Sequence, residues 1–256
     1  LRREVDPAVI DREAKIPDSV IRGLFDLGVM SMSIPPEHGG LGFSQYAYCR
    51  VMEEIGAADA SVAILVNAHQ SIGLKSLLLF GTPEQKTCWL PKLVRGEILA
   101  AFALTEENAG SDAGGIETRA ELNPEGTHYI LNGRKQWITN GGVAGLLTVM
   151  AKVSSGRDQK GRACVAVATS ASQRREPITA FLVTPDMPGF EVEVMALDKC
   201  GIRGTLTSKL AFHNVRVPVE NVIGPPGKGL RVALTVLDFG RTTFGATCTG
   251  TAKKCV

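Results

Sequence analysis

The hydrophobic period of this 256-residue chain changes twice, and each change narrows what it can fold into. Up to about residue 100 the apolar residues fall at helical spacing. Val20, Ile21, Leu24, Phe25 and Leu27 mark one helix over residues 18–28. IPPEHGGLGF then breaks the pattern, because two prolines and three glycines do not fit inside a helix. Ser44 caps a second helix running to about Ala57, and Ala60 to Phe80 supplies a third. Thr82-Pro83-Glu84-Gln85 has the form of a capping box with proline at the first helical position, opening a helix that ends near Gly96. After Ala100 the period becomes that of strands. HYILNGRKQWI sets Asn132-Gly133 between two alternating runs, which predicts a hairpin turn there. Further strands are expected at 146–153, 178–183, 189–196 and 207–212, and the polar stretch 154–177 reads as a mobile loop. From Gly227 helical spacing returns in LRVALTVLDF and runs to the end. Helices, then strands, then a helix predict an α+β multidomain chain: a helical part over 1–100, a β part over 101–224 and the start of another helical part over 225–256.

Composition removes several function classes. With 44% hydrophobic and 21% charged residues the chain is neither disordered nor fibrous. A net charge of +2 leaves no basic surplus for a nucleic acid. Six cysteines and four histidines are scattered without metal-ligand spacing, so no metal is expected, and the thiols read as those of a reducing compartment. Ala60 to Phe80 is strongly apolar, but Asn67, His69, Gln70 and Lys75 make it a buried helix rather than a membrane span. The chain opens on Leu1 without an initiator Met or signal region, and TAKKCV continues a helical pattern without a stop signal. Both ends therefore read as trimmed.

Four segments carry chemistry. In AFALTEENAGSDAGG (101–115), Gly110, Gly114 and Gly115 admit close backbone approach, while Thr105, Ser111 and Asp112 supply small polar groups. Such a loop suits a phosphate-bearing cofactor through an anion nest, and equally a plain tight turn. It is neither a Walker loop nor GxGxxG. In QWITNGG, Trp137 can stack on a ring system beside the Thr139 hydroxyl, or simply fill a core. LDKCGIRGTLTSKLAFHNVRVPVENVIG ends its strand at a Val-Pro turn. Asp238-Phe239-Gly240-Arg241 places an arginine in an apolar helix, where it needs a partner or an exit to solvent.

ALTEENAGSDA, QWITNGG, KCGIRGTLTSKLAFHNVRVP and LDFGR, in this order, resemble the acyl-CoA dehydrogenase family over essentially the whole chain, nearest in tone to its long-chain and very-long-chain branch. The resemblance implies a helical N-terminal domain, a middle antiparallel β-barrel and the first helix of a C-terminal helical domain, with FAD between the first two. It implies that Phe102, Leu104, Thr105, Gly110, Ser111, Trp137, Ile138 and Thr139 line the flavin. Ser111, Asp238, Phe239 and Arg241 would line the acyl-CoA site. The implied reaction is α,β-dehydrogenation of a fatty acyl-CoA, with electrons passed to an electron-transfer flavoprotein by a homodimer or homotetramer. Bacterial cytoplasm and mitochondrial matrix both suit it. A flavin oxidase of the same fold, or a non-catalytic flavin- and acyl-CoA-binding protein, is the alternative. Two departures stand out: Glu107-Asn108 for the family's usual Pro-Gly, and Cys200 for a common Leu. The family's catalytic Glu occupies one of two places. One is Gly240 here; the other lies beyond residue 256, so the base is expected outside the chain, with Glu106 and Glu107 as remote candidates.

Overall fold

The computed structural model describes residues 4–154 and 176–256, so most of the loop expected at 154–177 lies outside the described residues. The helical part contains α1 (Pro7–Glu13), α2 (Asp18–Asp26), α3 (Gln45–Ala58), α4 (Ala60–Asn67), α5 (Lys75–Phe80) and α6 (Pro83–Val94). Polar side chains cap four of them; in α1, α3 and α4 Asp6 accepts from Ala8 and Val9, Ser44 from Ala47, and Asp59 from Val62. The apolar helix Ala60–Phe80 is present as one rod whose middle, Ala68–Leu74, widens into π turns. It is long and apolar enough to cross a membrane, yet 78% of its most apolar window is buried inside the protein. Its polar residues face protein partners. Gln70 accepts from Ser33 N at 2.7 Å and donates to Val29 O at 2.7 Å, while His69 Nδ1 accepts from Ala100 N at 3.0 Å.

α6 opens on the expected box: Thr82 Oγ1 accepts from Gln85 N at 3.2 Å and Gln85 Oε1 from Thr82 N at 3.0 Å. The same Gln85 donates Nε2 to the carbonyls of Glu220 (2.7 Å) and Val222 (2.9 Å), clasping the helices to the end of the sheet. Thr82→Ala is expected to cost about 1 kcal/mol. Gln85→Ala is expected to cost roughly 2–3 kcal/mol, since it also strips two carbonyls of their donor. Thermal melts of the two variants check the ranking, and equal losses would argue against the clasp.

The strands are β1 (Leu99–Ala103), β2 (Arg119–Leu122), β3 (His128–Thr139), β4 (Ala144–Val153), β5 (Ile178–Val183), β6 (Phe190–Val194), β7 (Thr207–Pro218) and β8 (Val222–Ile223). They form one sheet in the order β6-β7-β3-β2-β4-β5-β8, with β1 against β4. Two features correct the antiparallel barrel. β1 and β2 both run parallel to β4. Among the described residues the end strands β6 and β8 do not pair, so the sheet stays open. β2 meets β4 through only two residue pairs, Arg119 with Lys152 and Ala120 with Val153. The two halves of the sheet still share one core, as in the edge-to-face contact of Tyr129 on β3 with Phe181 on β5, centroids 5.0 Å apart.

The hairpin expected at Asn132-Gly133 is also corrected. β3 runs straight through it, with a register shift against β7 between Leu131 and Gly133. Gly133 sits at φ 149°, where a Cβ would meet Thr118 Oγ1 at 2.5 Å. The glycine therefore serves a bulge and a close crossing. The turn lies instead at Asn123–Gly126, where Asn123 Oδ1 accepts from the N–H groups of Thr127 and His128 and Gly126 takes φ 72°.

The last helix, α7 (Gly229–Cys255), returns across both layers. Val232, Ala233 and Val236 enter a core with Leu74 and Leu77 of the helices and Phe102, Ile178 and Leu182 of the sheet. That return places the end of β1, the end of β3 and one face of α7 around a common cleft.

Candidate functional site

β1 ends at Ala103, and the chain leaves the sheet through a loop tied down at several points. Thr105 O accepts from Gln136 N of β3 at 2.9 Å, and Glu106 and Ala109 exchange backbone hydrogen bonds of 3.1 and 3.2 Å. Across the cleft, the β3–β7 register shifts between Lys135 and Ile138. There Trp137 adopts φ 61°, a left-handed backbone that an aromatic residue rarely takes, and its side chain remains 50% exposed. Asn140, at φ 64°, turns the chain back immediately afterwards.

These elements enclose a cavity of about 280 Å³. Phe102, Leu104, Thr105, Gly110 and Ser111 line one side, and Trp137, Ile138 and Thr139 another. All eight residues expected around the flavin are thus brought together. Ile72 from the π turns, Ala113, and Leu234, Leu237 and Arg241 from α7 complete the wall. Ile72 and the two leucines carry no motif and reach the cavity only through long-range packing, which no local pattern signals.

A larger cavity of about 910 Å³ adjoins it, sharing Ser111, Ala113 and Leu234. Asp238 lines this one, together with Lys228, Arg231 and Glu176. Arg241 bonds Asp238 at 3.0 Å on the exposed side of α7, so this arginine has both a partner and an exit to solvent. Phe239 reaches neither cavity. The Lys75 ammonium lies 4.7 Å from its ring centre, and burial pushes that lysine below its ordinary pKa.

No proton-abstracting role fits Gly240 or the two glutamates of the motif. Gly240 is buried, and a Cβ there would meet Ile72 Cγ2 at 2.7 Å. Glu106 is buried and fully engaged: Oε1 accepts from Thr118 N (3.1 Å), Thr118 Oγ1 (2.6 Å) and Lys135 Nζ (2.7 Å), and Oε2 from Glu117 N. Burial alone would raise its pKa. Lys135 and the Thr118 and Glu117 donors outweigh that and hold it below the usual carboxylate range, the opposite of what a base needs. Glu107 is exposed, 3.9 Å from Lys209. Among the described residues no cluster of His, Cys, Asp or Glu can hold a metal ion.

The family model for the acyl-CoA dehydrogenase N-terminal domain matches residues 1–97, and that for the middle domain matches residues 101–215. The chain belongs to the acyl-CoA dehydrogenase family. The mitochondrial very long-chain specific acyl-CoA dehydrogenase of Rattus norvegicus is 42% identical over 248 residues, which are 97% of this chain and 36% of that protein. Butyryl-CoA dehydrogenase from Megasphaera elsdenii superposes with a TM-score of 0.83 at 36% identity, covering 96% of this chain and 60% of that one. An acyl-CoA dehydrogenase from Bacillus anthracis, solved complexed with FAD, gives a TM-score of 0.80 at 37% identity over 96% of this chain and 38% of that one. The chain thus spans about a third of the length of the curated relatives it matches.

Proposed function

We propose that the smaller cavity holds the ring system of FAD and the larger one the thioester end of a fatty acyl-CoA, in a protein that dehydrogenates the acyl chain between its α- and β-carbons. The strained, half-exposed Trp137 carries this reading. A tryptophan forced to positive φ and left facing a cleft gains nothing for the fold, but it offers a flat apolar surface to a ring. The donor set fits the same group: the hydroxyls of Thr105, Ser111 and Thr139 line the cavity and suit the polar edge of a flavin. FAD, when bound, supplies the hydride acceptor.

The chain's own residues orient and exclude. Trp137 and Ile138 cover one side of the cavity, and Leu234 and Leu237 of α7 keep water from it. Ser111, common to both cavities, marks their junction. Lys228 and Arg231 line the larger cavity as cations and suit the phosphates of coenzyme A. Since Gly240 carries no carboxylate and Glu106 is held ionised in the core, we assign the α-proton abstraction to a group outside residues 1–256. An electron-transfer flavoprotein as electron acceptor, and a homodimer or homotetramer as the working unit, complete the proposal. So does the division into a helical domain (1–100), a middle domain (101–224) and the start of a further helical domain (225–256). The rat relative is named as mitochondrial and another comes from a bacterium, which supports either the mitochondrial matrix or bacterial cytoplasm.

Titration with FAD tests the site. Quenching of flavin fluorescence is expected on binding, and Trp137→Ala is expected to weaken it about tenfold or more, since stacking on an aromatic ring is worth roughly 1–3 kcal/mol. Failure of the unsubstituted protein to take up FAD would overturn the reading. Anaerobic addition of acyl-CoA to the loaded protein then locates the base. Persistent yellow colour places it elsewhere, and bleaching places it within these residues.

A further inference from the structure

Lys135 has no exposed surface, a rare state for a lysine. A buried ammonium costs several kcal/mol unless it is fully paired, and a well-packed apolar side chain serves stability as well or better. Its presence therefore calls for a role that an apolar residue would not fill. Two of its three protons have specific targets. Nζ donates to Leu104 O at 3.0 Å and to Glu106 Oε1 at 2.7 Å. The same carboxylate gathers the N–H groups of Glu117 and Thr118 and the Thr118 hydroxyl. Three separate stretches thus converge on one buried pair: the exit from β1, the entry to β2, and β3. The convergence fixes a peptide plane. With Leu104 C=O turned to Lys135, the N–H of Thr105 lies on the opposite edge of the trans peptide, and it has no protein acceptor among the described residues. Thr105 C=O is in turn held by Gln136 N.

We propose that Lys135 is a positioning residue of the cofactor cavity: through Leu104 O and Glu106 it sets the peptide planes on either side of Thr105 and so aims that residue's N–H and hydroxyl at the ligand facing Trp137. This rests on the flavin reading given above. Lys135 touches no ligand itself, since Trp137, two residues on, faces the cavity while Lys135 points into the core.

The test compares the unsubstituted protein with Lys135→Met/Glu106→Gln, which keeps both side-chain lengths and removes both charges, so that neither partner is left as a lone buried ion. Glu106→Gln alone is the milder companion, and Arg134→Met, whose exposed side chain pairs with Glu193 on the other face of β3, is the control. Two readouts are taken: FAD dissociation constant with the bound flavin absorption spectrum, and hydrogen–deuterium exchange over residues 104–109 without flavin. The double variant is expected to bind FAD about tenfold or more weakly, with a shifted flavin band and faster exchange in that loop. Glu106→Gln should change in the same direction by less, and Arg134→Met should match the unsubstituted protein. A folded double variant with unchanged affinity, spectrum and exchange would overturn the proposal and leave Lys135 a packing residue. If the double variant does not fold, Glu106→Gln decides alone: unchanged affinity and exchange there also overturn it. If the unsubstituted protein takes up no FAD, the flavin reading fails, and the exchange data still decide whether Lys135 orders the loop.

Discussion

Gly250→Val is expected to separate α7 from α3 and cost at least about 3 kcal/mol. The two helices cross with their backbones in contact. A Cβ at Gly250 would overlap the carbonyl oxygen of Glu53, and one at Gly56 would come within 2.5 Å of Thr247 O. Backbone cannot rotate away as a side chain can, so α7 must move as a body. The crossing is also hydrogen-bonded: Thr251 Oγ1 donates to Gly56 O at 3.1 Å, and Glu53 receives both Arg50 and Lys253. Displacing α7 would open the cavity wall supplied by Leu234 and Leu237. For a chain of this size, 3 kcal/mol corresponds to roughly 6–12 °C in Tm. Gly245→Ala is the contrast. No atom lies within 4 Å of a Cβ there, so helix propensity alone predicts a gain of about 0.5–1 kcal/mol. Melts of both variants by circular dichroism check the pair, and a Gly250→Val protein melting with the parent would refute the close crossing.

His69 gives the second large effect, read through pH. It is fully buried on the π turns, and burial pushes its pKa from the ordinary 6.5 down to about 3. The neutral ring accepts from Ala100 N, the step between the helical part and β1. Because the folded-state pKa is lowered, the unfolded chain binds more protons between pH 6.5 and 3. Stability from this group is therefore complete above pH 6.5 and is lost as pH falls toward 3, up to roughly 4–5 kcal/mol. Glu106, held low in the native state, adds an acid-side loss at lower pH through the same linkage. His69→Gln retains an acceptor for Ala100 N without a titrating ring. Urea midpoints at pH 7 and pH 4.5 should differ much less in this variant than in the parent, and identical differences would sink the assignment.

What the sequence made legible followed from range. Thr82 and Gln85 lie three residues apart, and the box they form depends on nothing distant. The motif residues around the cavity were legible because each occupies a short contiguous run. Asn132-Gly133 misled because its local preference for a turn was overridden by Thr118 crossing behind the glycine and by β7 pairing on its other side. That β6 and β8 do not pair with each other among the described residues is a long-range outcome that no local pattern reports. The widening at Ala68–Leu74 was hidden too: its causes are tertiary, namely Gln70 bonding Ser33 and Val29, Ser71 bonding Tyr48 and Thr243, and Gly73 closing on Ala100. Lys135 carries no mark in its strand's pattern, and only its burial sets it apart.

The bonds of Thr243 with Ser71 and Asn67, and the seam of Gly56 with Thr251, join residues 172 to 195 positions apart. On a ribosome adding about 5–20 residues per second, α3 and the apolar Ala60–Phe80 rod emerge roughly 10–40 s before the helix that covers them has been made. Throughout that interval the face of the rod that α7 covers is without that cover, so its burial is completed only once α7 has been made.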